Sequence, residues 1–336
     1  MKILITGGAG FIGSHLTDKL LAEGYKVRVM DNLRNGRLEN LVEAQKNPNF
    51  EFLKGDILDK NACRQACENV EVVFHLACLG VRHSIHSPFE NHRVNAEGTL
   101  NVLEASLKNK VKHFFYISTS EIYGKTQEFP ISETALTVPL TVYGASKLAG
   151  EHYTLSYKEC YGLSCTILRI FNNYGPRAHY EGDAGEVIPR SIVRALYNEK
   201  PVIFGDGKIT RDFFFVKDTA KALSELLKMR FSENGGLLNG ETINIGTGVE
   251  YSLNFLLETL LKTMGKTDLG IEYLPARPAD VPRLWVNAQK FYKLTNFKSD
   301  YTFEQGLQET IAYYENLAKT KNLLAEIKIE NWKKNE

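Results

Sequence analysis

An apolar run ends in a hydroxyl-rich turn that carries a carboxylate, Ser118-Thr119-Ser120-Glu121-Ile122-Tyr123-Gly124, and Tyr143-Gly144-Ala145-Ser146-Lys147 follows it. Tyr143 and Lys147 stand at i and i+4, so a helix places them on one face. A phenol titrates near 10, and service as a base at neutral pH requires a fall of roughly three units, or about 4 kcal/mol. A neighbouring ammonium and a positively charged cofactor ring both act in that direction. Together these residues suit the oxidation of an alcohol, and the adjacent carboxylate suits later use of the ketone.

A cofactor to accept the electrons is written into the first strand-turn-helix. Thr6-Gly7-Gly8-Ala9-Gly10-Phe11-Ile12-Gly13 follows the strand-like run Lys2 to Thr6 and opens a helical pattern. Gly7 and Gly10 permit a tight turn and close backbone approach to a pyrophosphate, and Gly13 lets the helix pack on the strand. Asp31 ends the second strand-like run, where a carboxylate accepts from a ribose 2′-OH and repels a 2′-phosphate. NAD is therefore expected over NADP, a preference that Arg34 and Arg37 temper. Asp56 and Ile57 follow the third run and reach toward the adenine, and Asn95 braces neighbouring strand ends from within a long helix.

These residues need a scaffold that brings strand ends together. Lys2 to Thr6, Lys26 to Met30, Phe50 to Leu53, Val70 to His75, Lys112 to Ser118 and Leu163 to Phe171 read as strands. Helical patterns at 11–22, 59–68, 89–109 and 142–161 separate them. The alternation predicts an α/β fold: a Rossmann-type, doubly wound parallel sheet with a smaller C-terminal substrate-binding lobe. Residues 1–171 form the cofactor domain and 172–318 most of the second lobe, with a helix at 187–198 and short strands at 201–204, 210–215 and 242–245. The stretch 213–229 is expected to rejoin the large sheet, and the charged tail 319–336 to be a loose helix or an arm.

Composition narrows the partners. With 336 residues, 43% of them hydrophobic, the chain can bury a large core, and a net charge of +1 leaves no footprint for nucleic acid or a membrane surface. No apolar run reaches the length of a membrane span, and Met1 abuts the first strand without room for a signal peptide, so a cytoplasmic location is expected. Five cysteines, Cys63, Cys67, Cys78, Cys160 and Cys165, form an odd set expected to be reduced and structural. His83, His86 and His92 lack a fourth ligand at useful spacing, so no metal is expected.

The separated motifs TGGAGFIG, DN at 31 and 32, GDI at 55–57, HLA at 75–77, STSEIYG, YGASK, RIFNNYGPR at 169–177 and TRDFFFVKD at 210–218 resemble the extended short-chain dehydrogenase/reductases that modify nucleotide sugars. The resemblance implies bound NAD contacted by Gly7, Gly10, Phe11, Ile12, Gly13, Asp31, Asn32, Asp56, Ile57, Leu76, Ala77, Asn95, Tyr143 and Lys147. It further implies that Thr119 binds the sugar 4-OH, that Tyr143 removes its proton and that Lys147 holds the nicotinamide ribose. Asn172, Arg211 and Arg277 match diphosphate contacts, Ser84 matches a hydroxyl contact to substrate, and Val187 lies in the substrate-binding segment. Glu121 matches the residue that moves the C5 proton in 4,6-dehydratases, while Ser120 stands where most of them carry an Asp. A 4,6-dehydratase type of reaction on a UDP-sugar is the leading expectation, beside a 4-epimerase and a UDP-glucuronate decarboxylase whose uronate cation would be Arg82 or Arg283. A non-catalytic NAD-sensing module is the alternative of another class. His83, His179 and Tyr180 are expected to choose the sugar, and a homodimer is expected through the helices at 89–109 and 142–161.

Overall fold

The computed structural model describes residues 1–333. Its strands are β1 (Lys2–Thr6), β2 (Lys26–Asp31), β3 (Phe50–Lys54), β4 (Val72–His75), β5 (His113–Thr119), β6 (Cys165–Ile170), β7 (Asn172–Tyr174), β8 (Val202–Phe204), β9 (Thr210–Arg211), β10 (Phe213–Phe215), β11 (Glu241–Ile245), β12 (Tyr251–Ser252), β13 (Glu272–Leu274) and β14 (Arg283–Leu284). Its helices are α1 (Phe11–Ala22), α2 (Lys60–Cys67), α3 (Val81–His86), α4 (Pro88–His92), α5 (Gly98–Lys108), α6 (Val142–Tyr161), α7 (Val187–Leu196), α8 (Val216–Arg230), α9 (Leu253–Thr263), α10 (Gln289–Thr295) and α11 (Phe303–Ala318).

Seven strands form one parallel sheet in the order β11-β6-β5-β4-β1-β2-β3. The order reverses beside β1, so the ends of β1 and β4 diverge and open a crevice at their carboxyl side. Helices cover both faces, which is why Ile3, Leu4 and Ile5 are all buried although they alternate in direction. One face packs Leu16 and Leu20 of α1 with Leu223 and Leu226 of α8. The other packs Cys63 of α2, Val102 and Leu103 of α5, and Phe114 and Tyr116 of β5. A separate core of Ile188, Ile192, Phe213, Leu256, Leu260, Leu307 and Tyr314 holds the second lobe together. All five cysteines are free.

Four expectations need correction. Glu241–Ile245 does not belong to the second lobe: it is the edge strand of the large sheet, paired with β6, because Ile243 and Ile245 continue the core of Leu168 and Ile170. Phe213–Phe215 does not rejoin that sheet; it pairs with β7, and only α8 returns to pack on α1. The helix expected over 89–109 is interrupted by a π-helical turn at Arg93–Glu97. That turn carries Asn95, whose amide reaches Leu79, Asn91 and Ser146 at 2.8–3.2 Å, a set of partners that compensates the irregular backbone. The tail is neither a loose helix nor a free arm as far as residue 333. It forms one short 3₁₀ turn, Leu324–Glu326, and buries Leu323 and Trp332 against the second lobe; residues 334–336 lie outside the described residues. Among the described residues, no helix is long and apolar enough to cross a membrane.

Candidate active site: two cavities meeting at Thr119 and Tyr143

The first cavity lies over the crevice at the ends of β1, β2 and β4. Gly7 sits at φ +71°, and a Cβ there would lie 2.8 Å from the Ala77 backbone, so no larger residue fits the crossing of the two loops. Gly7, Gly10, Phe11, Ile12, Gly13, Asp31, Asn32, Asp56, Ile57, Leu76, Ala77 and Lys147 all line this cavity. Asp31 is buried and accepts from the amides of Ala9 (3.0 Å) and Leu33 (2.8 Å), which fixes it against the glycine turn. Burial raises its pKa while those two amides oppose the rise. Asn32 donates to Asp56 at 2.9 Å, joining the ends of β2 and β3. Arg34 is committed to Glu90 and Arg37 to Glu181, so neither is a free cation for a 2′-phosphate. A groove of glycine backbone with a carboxylate at the second strand end fits the adenosine diphosphate half of a dinucleotide.

Two expected residues do not line either cavity described. Asn95 is 1% exposed and acts from behind, tying the loop after β4 to Ser146 of α6. Ser84 turns its hydroxyl back to the Val81 carbonyl at 2.6 Å inside α3, which removes it as a substrate contact. His83 and His179 line the first cavity and not the second, and buried Tyr180 donates to Glu326, so these three are not placed to choose the sugar. Folding brings Asp183 beside His83 and His86, with His86 Nε2 2.9 Å from the carboxylate; exposed His92 is not part of that group.

The second cavity lies between the sheet end and the smaller lobe. Thr119, Ser120, Glu121, Tyr143, Asn172, Val187, Arg211 and Arg277 line it. Five residues of the chemistry are thus shared or adjoining: Thr119, Tyr143 and Asn172 line both cavities, and Ser120 and Glu121 extend from Thr119 into the second. Thr119 ends β5 and caps the 3₁₀ turn Ser120–Ile122, its hydroxyl accepting from the Glu121 amide at 3.2 Å. Thr141 caps α6 by accepting from the Gly144 amide, which sets Tyr143 in the first turn facing Thr119. Asn172 has a buried Oδ1 with no hydrogen-bond partner among the described residues.

Electrostatics here differ from the expectation. Recession in the cleft pushes the Tyr143 phenol well above 10, with Cys78 and Glu121 adding to the rise and the Thr119 hydroxyl opposing it. Lys147 is 2% exposed, burial lowers its pKa, and its ammonium lies over the Tyr116 ring, 4.3 Å from the centroid. The protein alone does not make Tyr143 a base. Burial also raises Glu121, against Arg211 and Arg277, and no side chain among the described residues hydrogen-bonds its carboxylate.

Sequence reasoning missed Arg190. It projects from α7 into the second cavity and, unlike Arg82, Arg194, Arg211 and Arg277, has no carboxylate within ion-pair distance among the described residues. Burial, aided by Arg82, Arg194 and Arg277, lowers its pKa to about 10. A cation at i+3 from the predicted Val187 was the available signal. Arg82 donates to the carbonyls of Asp183 and Ala184 and pairs with Glu186 at 2.5 Å. Arg283 is held by Glu250 between the rings of Phe129 and Trp285, away from the cavity.

A sheet crevice for a dinucleotide opens past Thr119 and Tyr143 into an arginine-lined chamber, the arrangement of an α/β enzyme that uses a dinucleotide cofactor. The family described as GDP-mannose 4,6 dehydratase matches residues 4–310. The chain belongs to that family, within the extended short-chain dehydrogenase/reductases that act as nucleotide-sugar epimerases and dehydratases. It is 37% identical to a putative UDP-glucose 4-epimerase of Methanocaldococcus jannaschii, over 95% of this chain and 100% of that one. It is 35% identical to a UDP-N-acetyl-alpha-D-glucosaminuronate decarboxylase of Bacillus cytotoxicus, over 94% of this chain and 98% of the relative. The solved structure of DesIV, a dTDP-glucose 4,6-dehydratase from Streptomyces venezuelae with NAD and TYD bound, superposes with a TM-score of 0.88 at 28% identity, covering 95% of this chain and 98% of that one. The relatives thus span three reactions.

Proposed function

We propose that the protein holds NAD and converts a nucleoside-diphosphate sugar through a 4-keto stage, with elimination of water across C5 and C6 as the outcome. The observation that carries the elimination is Glu121: a recessed carboxylate with no side-chain hydrogen bond, raised by burial, one residue beyond Ser120 from the Thr119–Tyr143 pair. A 4-ketone acidifies the C5 hydrogen, and a carboxylate whose pKa is raised takes and returns that proton efficiently.

The roles follow from position. Gly7, Gly10, Gly13 and Asp31 would hold the dinucleotide, and Lys147, which lines the same cavity, would hold the nicotinamide ribose. The chemistry that NAD would supply when bound is acceptance of the hydride from C4 and its return at C6 as the proton returns to C5, together with the positive ring that Tyr143 needs, so the conversion would be redox-neutral overall with water as the leaving group. Thr119 orients the C4 hydroxyl and Tyr143 removes its proton. Arg190, Arg211 and Arg277 grip the diphosphate, and the apolar end formed by Val202, Phe204, Ile209 and Leu253 receives the base. Arg82 pairs with Glu186, Arg194 with Glu199 and Glu272, and Arg211 and Arg277 with Asp280, so Arg190 is the cavity arginine without a carboxylate partner among the described residues. UDP is the favoured nucleotide, and a second copy of the chain the favoured partner.

The 4-epimerase is the second reading, supported by Ser120, a buried hydroxyl where an elimination profits from a second acid. Incubation with UDP-glucose, UDP-GlcNAc, UDP-glucuronate and GDP-mannose, read by mass, tests both. Loss of water is expected. An isomer of unchanged mass turns the conclusion to epimerisation, and loss of carbon dioxide to decarboxylation. Glu121→Gln with full activity removes the elimination role.

A further inference from the structure

Three residues that line the second cavity are held by a segment beyond the span that defines the family. Residues 4–310 carry the family match, and Lys328 to Trp332 lie outside it. Arg190 donates to the carbonyls of Lys328 (2.8 Å) and Ile329 (2.7 Å). Asn331 is fully buried and donates to the Gly185 carbonyl at 3.0 Å. Trp332, 7% exposed, sets its ring edge-on to Phe204 with centroids 4.6 Å apart. Gly185, Arg190 and Phe204 are all cavity wall.

The grip on Arg190 is specific in kind. Two backbone carbonyls orient a guanidinium without neutralising it, whereas a carboxylate partner would cancel its charge. Among the described residues its buried Nε has no protein partner and no carboxylate lies within ion-pair distance, so the arginine keeps its charge. Phe204, backed by Trp332, is fixed as one side of the apolar end. An aromatic wall that cannot swing away keeps the ordering cost of stacking low.

We propose that Lys328–Trp332 is a positioning element of the substrate cavity: through Arg190 and Phe204 it sets the wall that receives the nucleoside diphosphate. The inference rests on the nucleotide-sugar reading of the cavity. Trp332 and Asn331 touch no substrate themselves and act through the residues they hold.

The test uses the NAD-loaded full chain titrated with UDP and with GDP, together with steady-state kinetics on the nucleotide sugar it turns over. Trp332→Ala and Asn331→Ala are expected to weaken nucleoside-diphosphate binding and to raise KM by about three- to tenfold, with kcat and NAD content unchanged and Trp332→Phe restoring most of the loss. In a Trp285→Phe background, Trp332 is the remaining tryptophan, and its emission is expected to shift when UDP is added. Equal affinity in wild type and Trp332→Ala overturns the proposal, as does an emission spectrum indifferent to UDP. A fall of kcat and NAD content alongside affinity also overturns it, because the segment then merely supports the fold. If the wild type binds neither UDP nor GDP, the nucleotide-sugar reading itself fails. Binding by the wild type with unaltered variants removes the positioning role alone.

Discussion

The cofactor cleft meets its ligand with glycine backbone, strand ends and one buried carboxylate, whereas the substrate cavity is walled by five arginines drawn from four separate stretches of chain. Backbone recognition is short-range and steric: it tolerates no added atom at Gly7 but little of it depends on ionised side chains. Arginine recognition is long-range and adjustable, and each guanidinium must be oriented by a partner from elsewhere. One ligand is common to the whole family and the other differs between its members, so a rigid cleft beside a modular cavity is the division of labour the chemistry asks for.

The largest expected effect lies where the two regions meet. Tyr143→Phe removes the proposed proton acceptor while leaving both walls intact, so kcat should fall by about 10²–10⁴-fold with NAD content and UDP affinity preserved, as stopped turnover beside normal calorimetric binding would establish. Loss of either ligand in that variant would mean that the junction is structural.

Arg277→Ala tests the arginine side. It should raise KM for the nucleotide sugar by about ten- to a hundredfold, the worth of a charged hydrogen bond of about 1.5–3 kcal/mol, and make KM less sensitive to salt. NAD content after gel filtration should not change.

The two regions should also respond oppositely to acid. Burial holds His15 of α1 and His75 of β4, beneath the cofactor cleft, at about 3, below the 6.5 of an unfolded histidine. Their contribution to stability is complete above 6.5 and is lost as pH falls from 6.5 toward 3, about 2 kcal/mol each by pH 5. Asp212, beside the arginine cavity, is raised by burial from 3.8 to about 6, so its contribution is present at low pH and is lost as pH rises through 6. Calorimetric melting at pH 7.5 and 5 should show a net loss on acidification that Asp212→Asn makes steeper. A melting temperature flat between those values would break the contrast.

Gly7→Ala sharpens the steric side with the smallest chemical change. The left-handed φ alone costs about 1–2 kcal/mol, and the Ala77 backbone must also move to admit the new Cβ, so NAD should be lost on desalting with UDP affinity retained.

Local chemistry made much of the fold legible. The glycine turn, the six strand-like runs before residue 172 and the Tyr143–Lys147 pair depend on neighbours within one or two turns, and each occurs near where its pattern places it. Asn95 braces the loop after β4 as its helical position predicts but lines no cavity, while Ser84, matched through its motif, turns to its own helix. Rotamer direction is set by packing, which spacing alone does not encode.

What the sequence by itself determined is the βαβ scaffold, the glycine-lined dinucleotide groove and the placement of Tyr143 and Lys147 one helical turn apart, because these rest on periodicity, glycine sterics and i, i+4 geometry. Tertiary structure alone decided that Glu241–Ile245 completes the large sheet, that Arg190 lines the second cavity with no carboxylate at ion-pair distance among the described residues, and that Trp332 backs Phe204. It alone also decided that burial raises the Tyr143 phenol. Each of these depends on contacts between residues distant in the chain, or on the removal of water around a charge, and neither is present until the chain has folded.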